Sequence, residues 1–456
     1  MQNEIFDEQK IFNILDVARS PATEYVKEIL NKARRMKGLE LEEVGALINC
    51  QDKGILPLIF ETAKFIKQQI YGERLVFFAP LYISSFCVND CEYCGFHLRN
   101  ASLRKKLSLE EVRQQAEFLI DMGHKRLLLE FGEDPLHSPI SYVTGVIKTI
   151  YSARCGKGNI RRVNVNIAAT TAENYKKLKE AGIGTYQLFQ ETYHFKTYEK
   201  LHHGPKADFF RQLMAHDRAF AGGIDDVGLG VLFGLYDWRF EVMALVAHAK
   251  YLDRKYGVGP HTISVPRFKS AEAVYFSPSY PVSDEDFLKL IAILRLAVPY
   301  TGMIISTREM PEIRRRAFEI GISQTSAGSR TSPGGYGKEK ELSQFNISDE
   351  RPLEEVLGSV MKQDLLPSFC TACYRSGRTG KNFMDLAKPG NIHNFCRPNA
   401  ILTFKEYLED YAAEDVKYGG GKIIDKYLEQ ISNPVIREQT KEKLKQIEQG
   451  LRDLYF

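Results

Sequence analysis

Short apolar runs recur along this chain, separated by longer stretches in which apolar residues return every three or four positions. The short runs predict strands at Val76–Ser84, Arg126–Phe131, Val163–Ala168, Thr185–Glu191, Asp226–Phe233, Thr262–Phe268, Met303–Arg308 and Ile322–Ala327. The longer stretches predict helices, among them Leu109–Met122, Ala172–Ala181, Phe209–Gly222, Trp238–Tyr256 and Asp284–Val298. Two of these open on capping chemistry: Ser108 with Glu111, and Ser283 with Asp286 in the acidic role. Eight strands alternating with helices over about 250 residues have the size of a parallel (βα)8 barrel, so the fold class is α/β. The competing arrangement is an open doubly wound sheet. No fixed-period repeat runs through the chain.

The same patterning sets four expected segments. Residues 1–74 form a helical N-terminal extension, with helices at Ala22–Met36, Leu41–Ile48 and Gly54–Tyr71. Residues 75–330 form the barrel. Residues 331–352, rich in Gly, Ser and charge, form a loop or linker. Residues 353–456 form a mainly helical C-terminal unit, with helical patterns at Thr403–Tyr411, Lys422–Gln430 and Ile436–Asp453.

Composition narrows the class of function. Sixty-two Lys and Arg against 58 Asp and Glu leave a net charge of +4 over 456 residues, which gives no reason to expect nucleic acid or an anionic membrane as partner. No apolar run approaches the ~18 residues of a membrane span. The first twelve residues carry Glu4, Asp7, Glu8 and Lys10 and are not a signal peptide, so a cytoplasmic location is expected. Eight cysteines in such a chain are metal ligands, catalytic thiols or core residues rather than a disulfide framework.

Cys87, Cys91 and Cys94 follow the first strand with C-x3-C-x2-C spacing. Three thiolates on one loop can hold three irons of a 4Fe-4S cube and leave the fourth iron open; a zinc site completed by His97 is the alternative. The loop lies where barrel active sites lie, at the C-terminal end of a strand. With Tyr93 before the last cysteine, the motif resembles the signature of radical S-adenosylmethionine (SAM) enzymes. In that superfamily the open iron binds SAM, and an electron from the cube cleaves it to a 5′-deoxyadenosyl radical. Phe131-Gly132-Glu133 resembles the superfamily's Gly-Gly-Glu, with Phe131 a departure, and implies that Glu133 accepts from the SAM ammonium. Gly230 and Gly234 resemble the glycine-bearing strand beside the adenine; Glu191, ending the fourth strand, is a candidate for the ribose hydroxyls, with an exposed or ion-paired glutamate as the alternative.

A second set, Cys370, Cys373 and Cys396, has C-x2-C-x22-C spacing. Spacing alone leaves open a second cube or a zinc site with His393. Cys50 and Cys155 lack partners by spacing. Both cysteine sets together, within Pro-Ser-Phe-Cys-Thr-Ala-Cys-Tyr-Arg-Ser-Gly-Arg and with Gly259-Pro-His-Thr, Phe189-Gln-Glu-Thr-Tyr-His and the final Arg452-Asp-Leu-Tyr-Phe, resemble the HydG family of radical SAM tyrosine lyases, maturases of FeFe hydrogenase.

The resemblance implies a reaction in two places. At the barrel cluster L-tyrosine would be split at Cα–Cβ to p-cresol and dehydroglycine. At an auxiliary 4Fe-4S cluster dehydroglycine would become CO and cyanide, collected on a dangler iron bridged by a non-protein cysteine. His261 is implied as a ligand of that iron. It opens the sixth strand, at the barrel's N-terminal face, so the two clusters would sit at opposite ends of one lumen. Arg308, ending the seventh strand, suits a substrate carboxylate, with a structural ion pair to Glu309 as its alternative. Ser326 in the eighth strand would add a hydroxyl. Arg375, Arg378 and Arg397 flank the second set. Implied partners are free cysteine, a low-potential electron donor and hydrogenase maturation proteins. The competing functions are a 2-iminoacetate synthase, which makes the first cleavage but no CO, and a non-catalytic iron–sulfur or zinc scaffold.

Overall fold

The computed structural model of the protein describes residues 2–271, 274–337 and 343–456. Eight parallel strands close into a barrel: β1 (Arg74–Ser84), β2 (Arg126–Phe131), β3 (Arg162–Asn166), β4 (Thr185–Gln187), β5 (Asp226–Gly230), β6 (Thr262–Ser264), β7 (Gly302–Ile305) and β8 (Gln324–Ser326). Each pairs with the next in sequence, and β8 returns to β1 through Val76↔Gln324 and Phe78↔Ser326. The open-sheet alternative is thereby excluded. All eleven residues of β1 are buried, as expected of a strand covered on both faces.

Local chemistry sets the helices around it. Ser108 and Glu111 form a reciprocal capping box at Leu109–Asp121, and Ser283 caps Asp284–Ala297 by accepting from the Asp286 amide at 3.1 Å. Asp237 opens Trp238–Tyr256, and Gly257 closes it in the left-handed region at φ 68°. The expected helix over Phe209–Gly222 divides at Met214 into Phe209–Leu213 and Ala215–Ala221. Helices at Glu8–Val17, Ile140–Ser152, Phe195–Leu201 and Pro311–Ile320 were not apparent from the pattern. No helix among the described residues is long and apolar enough to cross a membrane.

Several strands end earlier than the apolar runs suggest. Glu191, Phe233, Phe268 and Arg308 lie beyond the strand ends, on the segments that form the barrel mouth, with Glu191 and Phe233 keeping single parallel bridges to Val231 and Arg267. Residues 331–352 carry no long element where they are described, yet they pack closely on that mouth. The Tyr336 hydroxyl donates to the Pro80 carbonyl at 2.6 Å, and its amide donates to the Gln115 side chain at 3.0 Å. Buried Asp349 accepts from Arg314 and, at 2.8 Å, from Arg351.

At the other end, β9 (Leu366–Ser368) adds in parallel to the first residues of β1, Arg74↔Leu366 to Val76↔Ser368. β1 thus serves two neighbours in succession, since its pairing with β2 begins only at Ala79. Helices His393–Asp410, Glu414–Glu429 and Pro434–Glu448 pack beneath. A buried ion pair, Arg161 to Glu406 at 2.6 Å, ties them to the entrance of β3.

Candidate active sites at the two ends of the barrel

The loop after β1 carries Cys87, Cys91 and Cys94 and is fixed by its own polar residues. Arg104 donates to the carbonyls of Ser85 at 2.6 Å and Phe96 at 2.8 Å, and also to those of His97 and Leu98. Asp90 accepts from Arg99 and stands 3.0 Å from His97 Nδ1. His97 is thereby committed to a carboxylate on its own loop. The Tyr93 hydroxyl stands 2.7 Å from His202 Nε2. Burial pushes the Cys94 thiol up to about 11 and raises Cys91 further. Ligation would therefore have to supply the deprotonation. The Phe96 amide already donates to Cys94 Sγ at 3.4 Å.

This loop borders a cavity in the barrel mouth that also receives Glu130, Glu191, Arg308 and Ser326. The Arg308 guanidinium lies 3.2 Å from the centroid of the Phe345 ring and has no ion pair among the described residues. Its neighbour Glu309 is taken by Arg267, Nε to Oε1 at 3.0 Å, so the expected alternative of an Arg308–Glu309 pair is not realised. Glu191, at φ 68°, borders the cavity with its carboxylate on Lys206 Nζ at 2.8 Å.

Glu133 borders a neighbouring groove with Asp134 and Ala169: its carboxylate accepts from Arg211 at 2.5 Å and from Asn89 at 2.6 Å, and the same Asn89 amide stands 3.7 Å from Cys87 Sγ. At Gly230 a Cβ would stand 2.4 Å from Phe189 Cδ1. Gly234 is needed for its backbone, at φ 116°.

The second set assembles at the barrel foot. Cys370 and Cys373 follow β9, and Cys396 enters from the helix His393–Asp410. A cavity bounded by the three thiols, Arg74, His261 and Tyr374 opens between them and the strand entrances. The Cys373 thiol is pushed up to about 12, first by burial and then by Cys396 and Cys370 beside it. His261 Nδ1 lies 3.3 Å from Asp226 Oδ1, and Nε2 lies 3.5 Å from the Tyr374 hydroxyl. An imidazole steadied by a carboxylate on one nitrogen is how proteins present the other to a metal. His393 is turned to the Gly390 carbonyl at 2.8 Å and borders a separate surface groove. The chain terminus closes over this end: Arg375 pairs with Asp453 at 2.5 Å, and Arg378 donates to the Phe456 carbonyl at 2.5 Å. Arg397 reaches Glu73 at 3.1 Å.

Three thiols on the loop after β1 are a donor set in which each thiolate can meet its own iron of a 4Fe-4S cube. Among the described residues no three His, Cys, Asp or Glu side chains converge on one metal position. The two cavities draw on the same strands one side-chain layer apart. Val76, Arg126 and Gln324 face the lower one, and two residues further on Phe78, Leu128 and Ser326 face the upper one.

Comparison with known proteins agrees with this arrangement. Residues 81–246 match the radical SAM superfamily, and 264–366 match the biotin and thiamin synthesis associated domain. A crystal structure of HydG, described as a maturase of the FeFe hydrogenase, superimposes with a TM-score of 0.97 at 54% identity, covering 99% of this chain and 100% of that one. The chain belongs to the HydG family of radical SAM enzymes. HydG from Carboxydothermus hydrogenoformans is 40% identical with a TM-score of 0.86, over 97% of this chain and 99% of its own. The 2-iminoacetate synthase of Escherichia coli (strain K12) is 30% identical over 341 residues, 74% of this chain and 89% of the relative. Membership implies a 4Fe-4S cluster and SAM for this HydG-family chain, and the three thiols after β1 are a donor set that fits the cluster. Sequence reasoning missed Glu130, Arg74, Tyr374 and the Gln344–Phe345 edge of the upper cavity. For Glu130 a signal existed, one acid inside the apolar run Arg126–Phe131.

Proposed function

We propose that the protein is a radical SAM L-tyrosine lyase that yields p-cresol and dehydroglycine, and that its second site converts dehydroglycine to CO and cyanide for an iron–dicarbonyl–cyanide unit used in FeFe-hydrogenase maturation. The observation that carries this reading is the pair of three-cysteine sets at opposite ends of one closed barrel, each bordering its own cavity.

At the mouth, Cys87, Cys91 and Cys94 would hold the 4Fe-4S cluster, which with SAM supplies the hydrogen-abstracting radical. The rest falls to the chain's own residues. Arg308, stacked on Phe345 and without an ion pair among the described residues, is available to clamp the amino acid's carboxylate. Ser326 lies on the same cavity wall. Tyr93, held by His202, backs the cysteine loop, and Lys206 fixes Glu191 at its edge. In this reading dehydroglycine would pass between the two cavities inside the barrel wall, past the layer of Phe78, Leu128 and Ile304, shielded from water that would otherwise hydrolyse an imine. At the foot, Cys370, Cys373 and Cys396 would hold the auxiliary cluster. His261, steadied by Asp226, together with a free cysteine, would hold the additional iron that is the reaction's cargo. A low-potential electron donor and hydrogenase maturation proteins are the partners this reading requires.

The second reading, a 2-iminoacetate synthase, is favoured by the E. coli relative, but it gives no task to the thiols and His261 at the foot. The deciding experiment supplies anaerobically reconstituted protein with SAM, dithionite and L-tyrosine, and measures p-cresol in solution and CO in the headspace. Both above a no-tyrosine control support the maturase. Cresol without CO, with both clusters intact, supports the synthase, and neither product refutes the lyase. Cys91→Ala should abolish both products, whereas Cys373→Ala should spare cresol and remove CO.

A further inference from the structure

Among the described residues Glu130, an acid in the barrel mouth, forms no ion pair. It points inward from β2, in register with Tyr82 of β1 and Asn166 of β3. Beneath it Leu128, the previous inward residue, joins Phe78 and Ile304 in a small apolar cluster that floors the cavity. The other acids around the barrel ends are engaged: Glu191 by Lys206, Glu133 by Arg211, Glu309 by Arg267 and Asp226 by His261. Asn166 stands beside Glu130 in register on β3 and lines the same cavity, and among the described residues only the field of Arg308 balances a charge on it. Burial dominates, and its carboxyl is pushed up to about 8. A carboxyl enclosed in this way is costly unless something polar meets it, and its remaining accessible surface opens into the cavity.

The cavity thus has a guanidinium suited to a carboxylate, aromatic walls in Tyr82, Phe189 and Phe345, and a largely neutral carboxyl. Those features describe an aromatic amino acid with a hydroxyl on its ring. We propose that Glu130, with Asn166, receives the para-hydroxyl group of the substrate and sets the selectivity for L-tyrosine over L-phenylalanine. This rests on the reading of the cavity as a tyrosine site. Phenylalanine would fill the same space but leave the buried carboxyl unmet, and sites built to hydrogen-bond a substrate hydroxyl reject analogues that lack it.

The test is equilibrium dialysis of labelled L-tyrosine and L-phenylalanine against cluster-reconstituted, SAM-loaded protein left unreduced, so that no turnover occurs. The wild type should prefer tyrosine by about 10- to 100-fold. Glu130→Leu should bring that ratio to within about threefold, mainly by weakening tyrosine, and Glu130→Gln, which keeps hydrogen-bonding groups, should fall between. Unchanged SAM binding and circular dichroism check that both variants fold. If Glu130→Leu weakens both amino acids equally, Glu130 meets the shared ammonium group and the assignment is wrong. If Glu130→Leu keeps the wild-type ratio, the assignment fails while the tyrosine-site reading stands. Wild-type protein that binds no tyrosine overturns both.

Discussion

Gly230→Ala separates two reasons for a glycine at the end of β5. A Cβ at this position would stand 2.4 Å from Phe189 Cδ1 and 2.7 Å from Cε1. Ordinary carbon–carbon contacts lie at about 3.5–4.0 Å, so the ring would have to retreat by roughly 1 Å. Phe189 also borders the barrel-mouth cavity, so a displaced ring alters the chamber proposed for the amino acid. Overpacking of this kind costs about 1–3 kcal/mol. The expected result is a melting temperature lowered by a few degrees and weaker L-tyrosine binding, with SAM affinity little changed.

The double variant makes the argument quantitative. Once Phe189 is truncated to alanine, the added methyl group has room, so the penalty of Gly230→Ala should largely vanish. A double-mutant cycle on thermal stability should then show a coupling of about 1–3 kcal/mol, the size of the relieved overlap. SAM affinity, measured by equilibrium dialysis on the four proteins, decides the alternative. If Gly230→Ala weakens SAM binding about tenfold or more and Phe189→Ala does not rescue it, the glycine serves the adenine, and the steric reasoning is refuted.

Other residues give independent checks. Glu241 is buried against Thr192 and the Tyr193 amide, and burial pushes its carboxyl up to about 8 from 4.5. Its contribution to stability is therefore full below about pH 4.5 and is lost as the pH rises through about 8. The stability of Glu241→Gln should accordingly gain on wild type as the pH rises across that window, by at most about 1.4 kcal/mol per pH unit, and a gap in unfolding free energy constant with pH would contradict this. Asp349→Ala leaves the fully buried Arg314 without its carboxylate and should cost about 3–5 kcal/mol. Greater protease sensitivity over residues 331–352 would show that the pair holds that segment down, and unaltered thermal unfolding would show that it does not. Arg308→Lys loses the two-point grip on a carboxylate and should raise the KM for tyrosine about tenfold. An unchanged KM would take the carboxylate away from Arg308.

What the chain disclosed and what it withheld follow from the range of the interactions. Short apolar runs located all eight barrel strands because each is buried by neighbours that follow it in sequence, and Ser108 and Ser283 cap their helices through residues three positions on. The C-x3-C-x2-C loop was legible for the same reason: its chemistry is local. β9 was not, because Leu-Pro-Ser has no pattern and a proline argues against a strand; it pairs only because the lower end of β1 offers an edge. Residues 331–352 looked like a spacer because glycine, serine and charge usually mean solvent, but Tyr336 and Asp349 find their partners on Pro80, Gln115 and Arg314, far away in sequence. The protein neighbours of Glu133 and Gly230 could not be read from their motifs, because Arg211 and Phe189 come from other elements. β2 shows how much more the alternation could have carried. Once Arg126, Leu128 and Glu130 share one face, the strand places a cation in the lower cavity, an apolar floor above it and an acid in the upper cavity, and the division of the barrel into two chambers is already written in five residues.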